Sequence, residues 1–311
     1  MILKNIYICL SKKAIEMTKN YIALLLLIFA YACTQCGKSN GEINEAKLSK
    51  DDMAKTSVFN IRNALFSIPS PHQLTKILID KKLEFRNDIL NPLSNYKNYQ
   101  TSFKKALNLG IYGANFGYLN LFDRTQETIR YFSVIKILSE DLNLLGAIKQ
   151  DVLTRIENNL SNKDSLMYYI TTSYQDIDIY LKKNQQETTG ALILAGGWIE
   201  SMYFLSEYAK KTNDPELISR LWENKKALEN LITILSEISE QNNNFEELLN
   251  RLNRLYELFE TIEIKTQLIR AEHFAEEKFS RIDSELKASI SIKQSIELFF
   301  QLEKLREFCI Q

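Results

Sequence analysis

Apolar side chains recur at intervals of three and four along most of this chain, the spacing that lines one face of an α-helix. Val58, Ile61, Leu65 and Ile68 predict a first helix. Ser70-Pro71 supplies a cap and a first-turn proline for a second, which carries Leu74, Ile77 and Leu78. Beyond Asn91-Pro92 the pattern predicts a long helix from Tyr96 to Leu121, then helices from Arg124 to Glu140, Gly146 to Leu160, Lys163 to Lys183 and Glu187 to Lys211. Asp214-Pro215 opens the next, in which Leu217, Leu221, Leu228, Leu231, Leu235 and Ile238 keep a four-three seam with Asn224 filling the gap. Past a polar turn at Gln241 to Asn244, the residues Phe245, Leu248, Leu252, Leu255, Phe259 and Ile262 carry the stripe back, so the pair predicts a helical hairpin.

After Glu260 the period changes to two. Ile262, Ile264, Thr266 and Leu268 alternate, as do Leu286, Ala288, Ile290 and Ile292, which predicts a small β-hairpin with Arg270 to Arg281 as its polar connection. One continuous helix is the competing reading of that segment. A last helix is expected from Lys293 to Cys309. The expected fold class is therefore all-α, a multi-helix bundle or array filling a single domain over residues 53–311, with the β-hairpin near its C-terminal end.

The head of the chain breaks this pattern. Tyr21 to Tyr31 is an uncharged run behind Lys19, too short for the about 20 helical residues that span a ~30 Å hydrocarbon core. It reads as the core of a signal peptide over residues 1–32, with translation beginning at Met17 and a second basic-apolar piece ahead of it. Ala30 and Ala32 before Cys33 resemble a lipobox, in which the cysteine sulfur is acylated and the cysteine becomes the first residue of the mature chain; a plain secretory signal cut after Ala32, or a short membrane helix, is the alternative. Acyl chains on Cys33 would hold the domain to a membrane, at about 0.8 kcal/mol per buried methylene. Residues 34–52 have almost no large apolar side chain and read as a solvated tether. No acidic cluster follows Cys33, which places the expected anchor in the cell envelope, on the outer membrane facing the periplasm.

Charge narrows the partners. The whole chain holds 39 basic and 39 acidic residues, and losing four lysines and one glutamate with the leader leaves a weakly acidic domain. Nucleic acid and anionic lipid headgroups are disfavoured as partners by that balance. Of the cysteines, Cys9 precedes the mature chain and Cys33 is the acyl site, so Cys36 and Cys309 make no disulfide framework.

The glycines mark the most unusual stretches. Leu109 to Phe122 and Ala191 to Phe204 look like distant copies, each with small residues along one helix face. Glycine costs about 1 kcal/mol against alanine inside a helix, so several together require close approach of another backbone. Gly110, Gly113, Gly117 and Gly197 therefore predict either a tight helix crossing or a groove walled by Tyr112, Phe116, Trp198 and Tyr203. Glu200 sits in an otherwise apolar run and, if buried, needs a partner such as Arg124 or Arg130.

Catalytic patterns are sparse. His72 and His273 are the only histidines, and neither makes the paired Glu-x-x-His helices of a di-iron site. Gly196-Gly197 lacks the preceding strand of a phosphate loop. No cofactor and no metal are expected.

The phrases NPLSNYKNYQTSFKKALNLGIYGANFGYLNLFDRTQETIRYF, LSNKDSLMYYITTSYQDIDIYL and LILAGGWIESMYFLSEYA resemble a family of functionally uncharacterised, mostly helical exported lipoproteins from Bacteroidota-type bacteria. The resemblance covers about residues 55 to 311 and implies the compartment and the helical domain. It carries no catalytic residues. The expected function is a non-enzymatic envelope lipoprotein that presents a helical surface to an envelope protein partner. A small-molecule binder with a pocket between the glycine-bearing helices is the alternative, and an enzyme of unknown type the third reading.

Overall fold

Strand pairing opens the described part of the chain. β1 (Thr56–Ile61) runs antiparallel to β2 (Ala64–Pro69), with Phe59 opposite Phe66 and Asn60 opposite Leu65. This corrects the helix expected at Val58 to Ile68. Thr56, Val58, Phe59, Ile61, Phe66 and Ile68 are residue types that fit a pleated strand, and a stripe of only four positions was too short to outweigh them. In this computed structural model the described residues are 56–61, 64–69, 71–144, 150–159, 162, 180–181, 184, 186–238, 243–262, 264–274, 279–288 and 290–311.

Helices carry the rest of the architecture, as the periodicity predicts. α1 (Pro71–Asp80) begins at its proline and is followed by a 3₁₀ turn (Leu93–Asn98). α2 (Ser102–Leu121) starts later than Tyr96 because the Thr101 hydroxyl accepts the Lys104 N–H at 3.2 Å and fixes the N-terminus there. α3 (Thr125–Asp141) and α4 (Gln150–Asn158) follow, and α5 (Glu187–Thr212) ends on Asn213 in the left-handed conformation, φ 51°. The helix expected at 163–183 lies outside the described residues apart from 180–181.

The predicted seam from Leu217 to Ile238 is two helices. α6 (Pro215–Trp222) is capped by Asp214, whose carboxylate accepts the Glu216 N–H at 2.8 Å, and α7 (Lys225–Ile238) resumes after Glu223 and Asn224. Asn224, the residue filling the gap in the seam, is buried in the turn between them and donates from Nδ2 to Arg220 O at 2.8 Å. α7 packs against α8 (Asn243–Glu260), the expected helical hairpin.

β3 (Ile264–Phe274) and β4 (Phe279–Ala288) form the second hairpin, and α9 (Ile292–Ile310) closes the chain. The strands reach further than expected. Arg270 lies opposite Asp283 and Glu272 opposite Arg281, so charged residues assigned to a connection are paired positions; a register shift between Leu268 and Arg270 interrupts the alternation there. α9 starts on a capping box, in which Ser291 Oγ accepts the Gln294 N–H and Gln294 Oε1 accepts the Ser291 N–H.

α2 and α5 form the central pair, with α1 against both, α3 along α2, and α9 lying on α5, α8 and α2. The fold is an all-α multi-helix array with two β-hairpins attached. Among the described residues, no helix is long and apolar enough to cross a membrane.

Candidate functional site

The α2–α5 crossing is a backbone contact. A Cβ on Gly110 would stand 1.9 Å from Ile193 O and 2.8 Å from Gly197 N; one on Gly196 would stand 1.8 Å from Leu107 O. No side chain fits at either position, so the two helices touch main chain to main chain. Among the described residues nothing lies within 4 Å of a Cβ placed on Gly117, and Gly113 is half-buried like it. At Gly110 and Gly196, then, the space that could have been a groove is filled by the opposite helix, and Gly197 enters the contact through its main-chain nitrogen.

That contact brings polar groups into the core. Glu200 is fully buried on α5. Its Oε1 accepts from Asn115 Nδ2 of α2 at 2.8 Å and from Arg306 Nη2 of α9 at 3.1 Å, and its Oε2 accepts from Arg306 Nε at 2.8 Å. Arg306, 8% exposed, also donates from Nη2 to Ile89 O at 3.1 Å. Burial alone would lower the guanidinium pKa; the Glu200 carboxylate more than offsets this and holds it above its ordinary value. Tyr203, half-buried, lies with its ring 4.3 Å from the Arg306 guanidinium carbon, and burial pushes its phenol up to about 12.

A second tier joins the same network. Asn91, which begins the chain's approach to α2, donates its N–H to Asn115 Oδ1 at 2.9 Å and its Nδ2 to Tyr99 OH at 3.1 Å; its carbonyl accepts from Tyr131 OH at 2.9 Å. Tyr112 donates to Pro92 O at 2.8 Å. Asn108 donates from Nδ2 to Cys309 O at 2.8 Å, and Tyr99 OH reaches Ile310 O at 3.4 Å, so side chains from other segments cap the last turn of α9. Burial raises the phenols of Tyr112 and Tyr131 and the thiol of Cys309, and all three stay protonated at neutral pH.

The sequence singled out Glu200 and misplaced its partner. Arg124 pairs with Glu127 on its own helix, Arg130 is exposed, and the partner is Arg306 on the last helix. A signal for it existed: Leu298, Leu302 and Arg306 stand at i, i+4 and i+8, which puts a charge on the buried stripe of α9. Asn108 and Asn115, seven residues apart, carry the same mark on α2. Asn91, Tyr99 and Tyr131 gave no local signal, because their roles come from segments far apart in sequence.

Of the remaining expected wall residues, Tyr112, Phe116 and Trp198 are buried, and Phe116 packs against Phe132 with ring centroids 5.8 Å apart. Trp198 Nε1 is buried without a hydrogen-bond partner. Chemically, the network is a clamp: the Glu200 oxygens are occupied by donors from two helices, and its phenols and thiol are held neutral. What it does is lock α2, α5, α9 and the segment before α2 into one arrangement.

The opposite face of α9 is built differently. Ile292, Ile296 and Phe300, at i, i+4 and i+8, are 79%, 61% and 50% exposed and form an apolar ridge on the outside of the domain. Comparison with known protein families, with curated proteins and with solved structures found no match, and the likeness to exported lipoproteins rests on the sequence phrases alone.

Proposed function

We propose that this chain is a non-enzymatic lipoprotein of the cell envelope, anchored by acyl chains on Cys33 to the outer membrane facing the periplasm, and that it presents a helical surface to an envelope protein partner. The observation that carries the reading is the α9 ridge. Ile292, Ile296 and Phe300 each leave half or more of their surface in water in the folded chain, apolar surface of the kind that binding removes. The saturated Glu200 clamp supports the same reading, since it rigidifies α9 from beneath and offers no free carboxylate for catalysis. Cys33 lies outside the described residues, and its acylation is supported by the leader pattern.

The test places a photo-crosslinking amino acid at Ile296 in the full chain, in its native membrane. Crosslinked protein of defined mass is expected from position 296 and not from exposed Lys226 on α7. Equal, diffuse labelling from both positions would remove the reading. Palmitate labelling that persists in Cys33→Ser would remove the anchor.

A second reading rests on Trp198, whose buried indole N–H has no partner among the described residues: a small ligand with an acceptor oxygen would supply one. Intrinsic fluorescence and melting of the full chain across a metabolite panel test this. A saturable shift with a raised melting temperature is the expected signature.

A further inference from the structure

The α9 ridge invites the question of what covers it. The residues beside it answer with a charge pattern. Lys293 and Glu297 lie one turn apart on one flank of the ridge, both exposed, and Lys293 makes no ion pair among the described residues, while Glu297 accepts only the Gln301 amide at 2.7 Å. Further along, Lys304 Nζ lies 5.7 Å from the Phe300 ring centroid and pairs with Glu307 at 2.7 Å, so that part of the helix is already satisfied. The unsatisfied charge sits beside the apolar residues.

We infer that the partner of the α9 ridge is a second copy of this chain, docked antiparallel about a two-fold axis at Ile296. This deepens the docking reading above and rests on it. In a two-fold antiparallel pair Ile296 meets Ile296 of the other copy, Ile292 meets Phe300, and each flank meets the same flank running the other way. Lys293 then lies across from Glu297 of its partner, and Glu297 from Lys293, so one contact makes the ion pair twice. A parallel pair places Lys293 against the opposite flank and makes neither. The ridge is an i±4 row, and two such rows run parallel to one another when the helices cross at about 50°. Such a crossing gives a short contact, matching a patch confined to the first half of α9.

Three side chains fall short of the about 800 Å² per partner of a standard interface. The dimer is therefore weak in dilute solution. Two copies anchored in one membrane meet at a much higher effective concentration, and the contact forms there.

Cysteine crosslinking of the full chain in its native membrane decides the matter, in a Cys36→Ser background that keeps only buried Cys309 beyond the anchor. Ile296→Cys should oxidise to a disulfide-linked dimer, since residues at the axis come within disulfide reach. Ile292→Cys and Phe300→Cys, on differently tagged chains expressed together, should crosslink to each other several-fold more than either does to itself. Lys293→Glu in the Ile296→Cys chain should lower the dimer yield several-fold, and adding Glu297→Lys should restore it. Circular dichroism and melting identical to the parent show that each variant is folded. A monomeric Ile296→Cys chain, or a dimer yield unmoved by the charge reversal, overturns the inference. If photo-crosslinker at Ile296 then captures a different protein, the docking reading stands and the second copy falls; if it captures nothing, both fall.

Discussion

The two faces of α9 reverse the ordinary order of a surface helix. Its inner face carries a buried guanidinium, Arg306, among Leu298, Leu302, Leu305 and Cys309, while its outer face begins with Ile292, Ile296 and Phe300 in water. Apolar burial alone would turn the helix over or leave its rotation loosely fixed. The inner polar contacts prevent that. Arg306 bonds Glu200 and Ile89 O, and Asn108 divides its amide between Lys104 O on its own helix and Cys309 O on α9, so the rotation and register of α9 are set by directional polar contacts. The comparison teaches that the outer ridge is not misplaced core: the helix is pinned with those residues out.

The largest effect should come from breaking the inner face. Arg306→Ala leaves Glu200 buried without its counter-charge and should cost about 3–5 kcal/mol in urea denaturation, with Glu200→Ala costing a similar amount. The apolar double variant E200M/R306M should recover much of the loss, because replacing both ions removes the desolvation penalty along with the attraction. If the double variant is no more stable than the singles, the pair contributes more than neutralisation. Next come Gly110→Ala and Gly196→Ala. Each puts a methyl group less than 2 Å from a carbonyl oxygen of the facing helix. The α2–α5 pair has to spread, and each should cost at least about 1–3 kcal/mol by thermal melting.

These same positions separate what was legible from what was not. α2, α5 and α9 could be read because their stripes are long, while the start of α2 was misread at Tyr96 because the Thr101 cap was passed over. Val58 to Ile68 could not, since four apolar positions fit a helix by spacing while residue type and cross-strand pairing decide for strands. Asn224 was visible as a gap, but its amide bonds the carbonyl four residues back as those of Asn108 and Asn115 do inside unbroken α2, so the residue type does not separate a helix break from a helix interior. Glu200 was visibly in need of a partner, yet Arg306 lies 106 residues away and only the fold brings them together. The glycines show the limit most clearly. Gly110 and Gly117 have the same sequence signature, seven residues apart, and opposite surroundings, because α5 crosses α2 at only one of them.

That contrast predicts a smaller effect of the opposite sign. Gly117→Ala adds a methyl group into open space on a helix, so the gain in helix propensity is unopposed. The variant should be more stable by up to about 1 kcal/mol. A destabilised Gly117→Ala would mean that something fills that space and would return the groove to consideration.

The smallest effect should belong to the outer face itself. Ile296→Ser removes an apolar side chain that is 61% exposed and touches little, so unfolding of the dilute protein should change by no more than about 0.5 kcal/mol. A serine two residues further on behaves oppositely: Leu298→Ser enters a fully buried position and should cost several times as much. Measured side by side by chemical denaturation, this pair separates residues kept for folding from residues kept for contact. If Ile296→Ser proved as costly as Leu298→Ser, the ridge would be part of the core of the folded chain and no partner would be needed to explain it. A stability close to the parent, combined with lost crosslinking in the membrane, leaves binding as the reason for an isoleucine in water at that position.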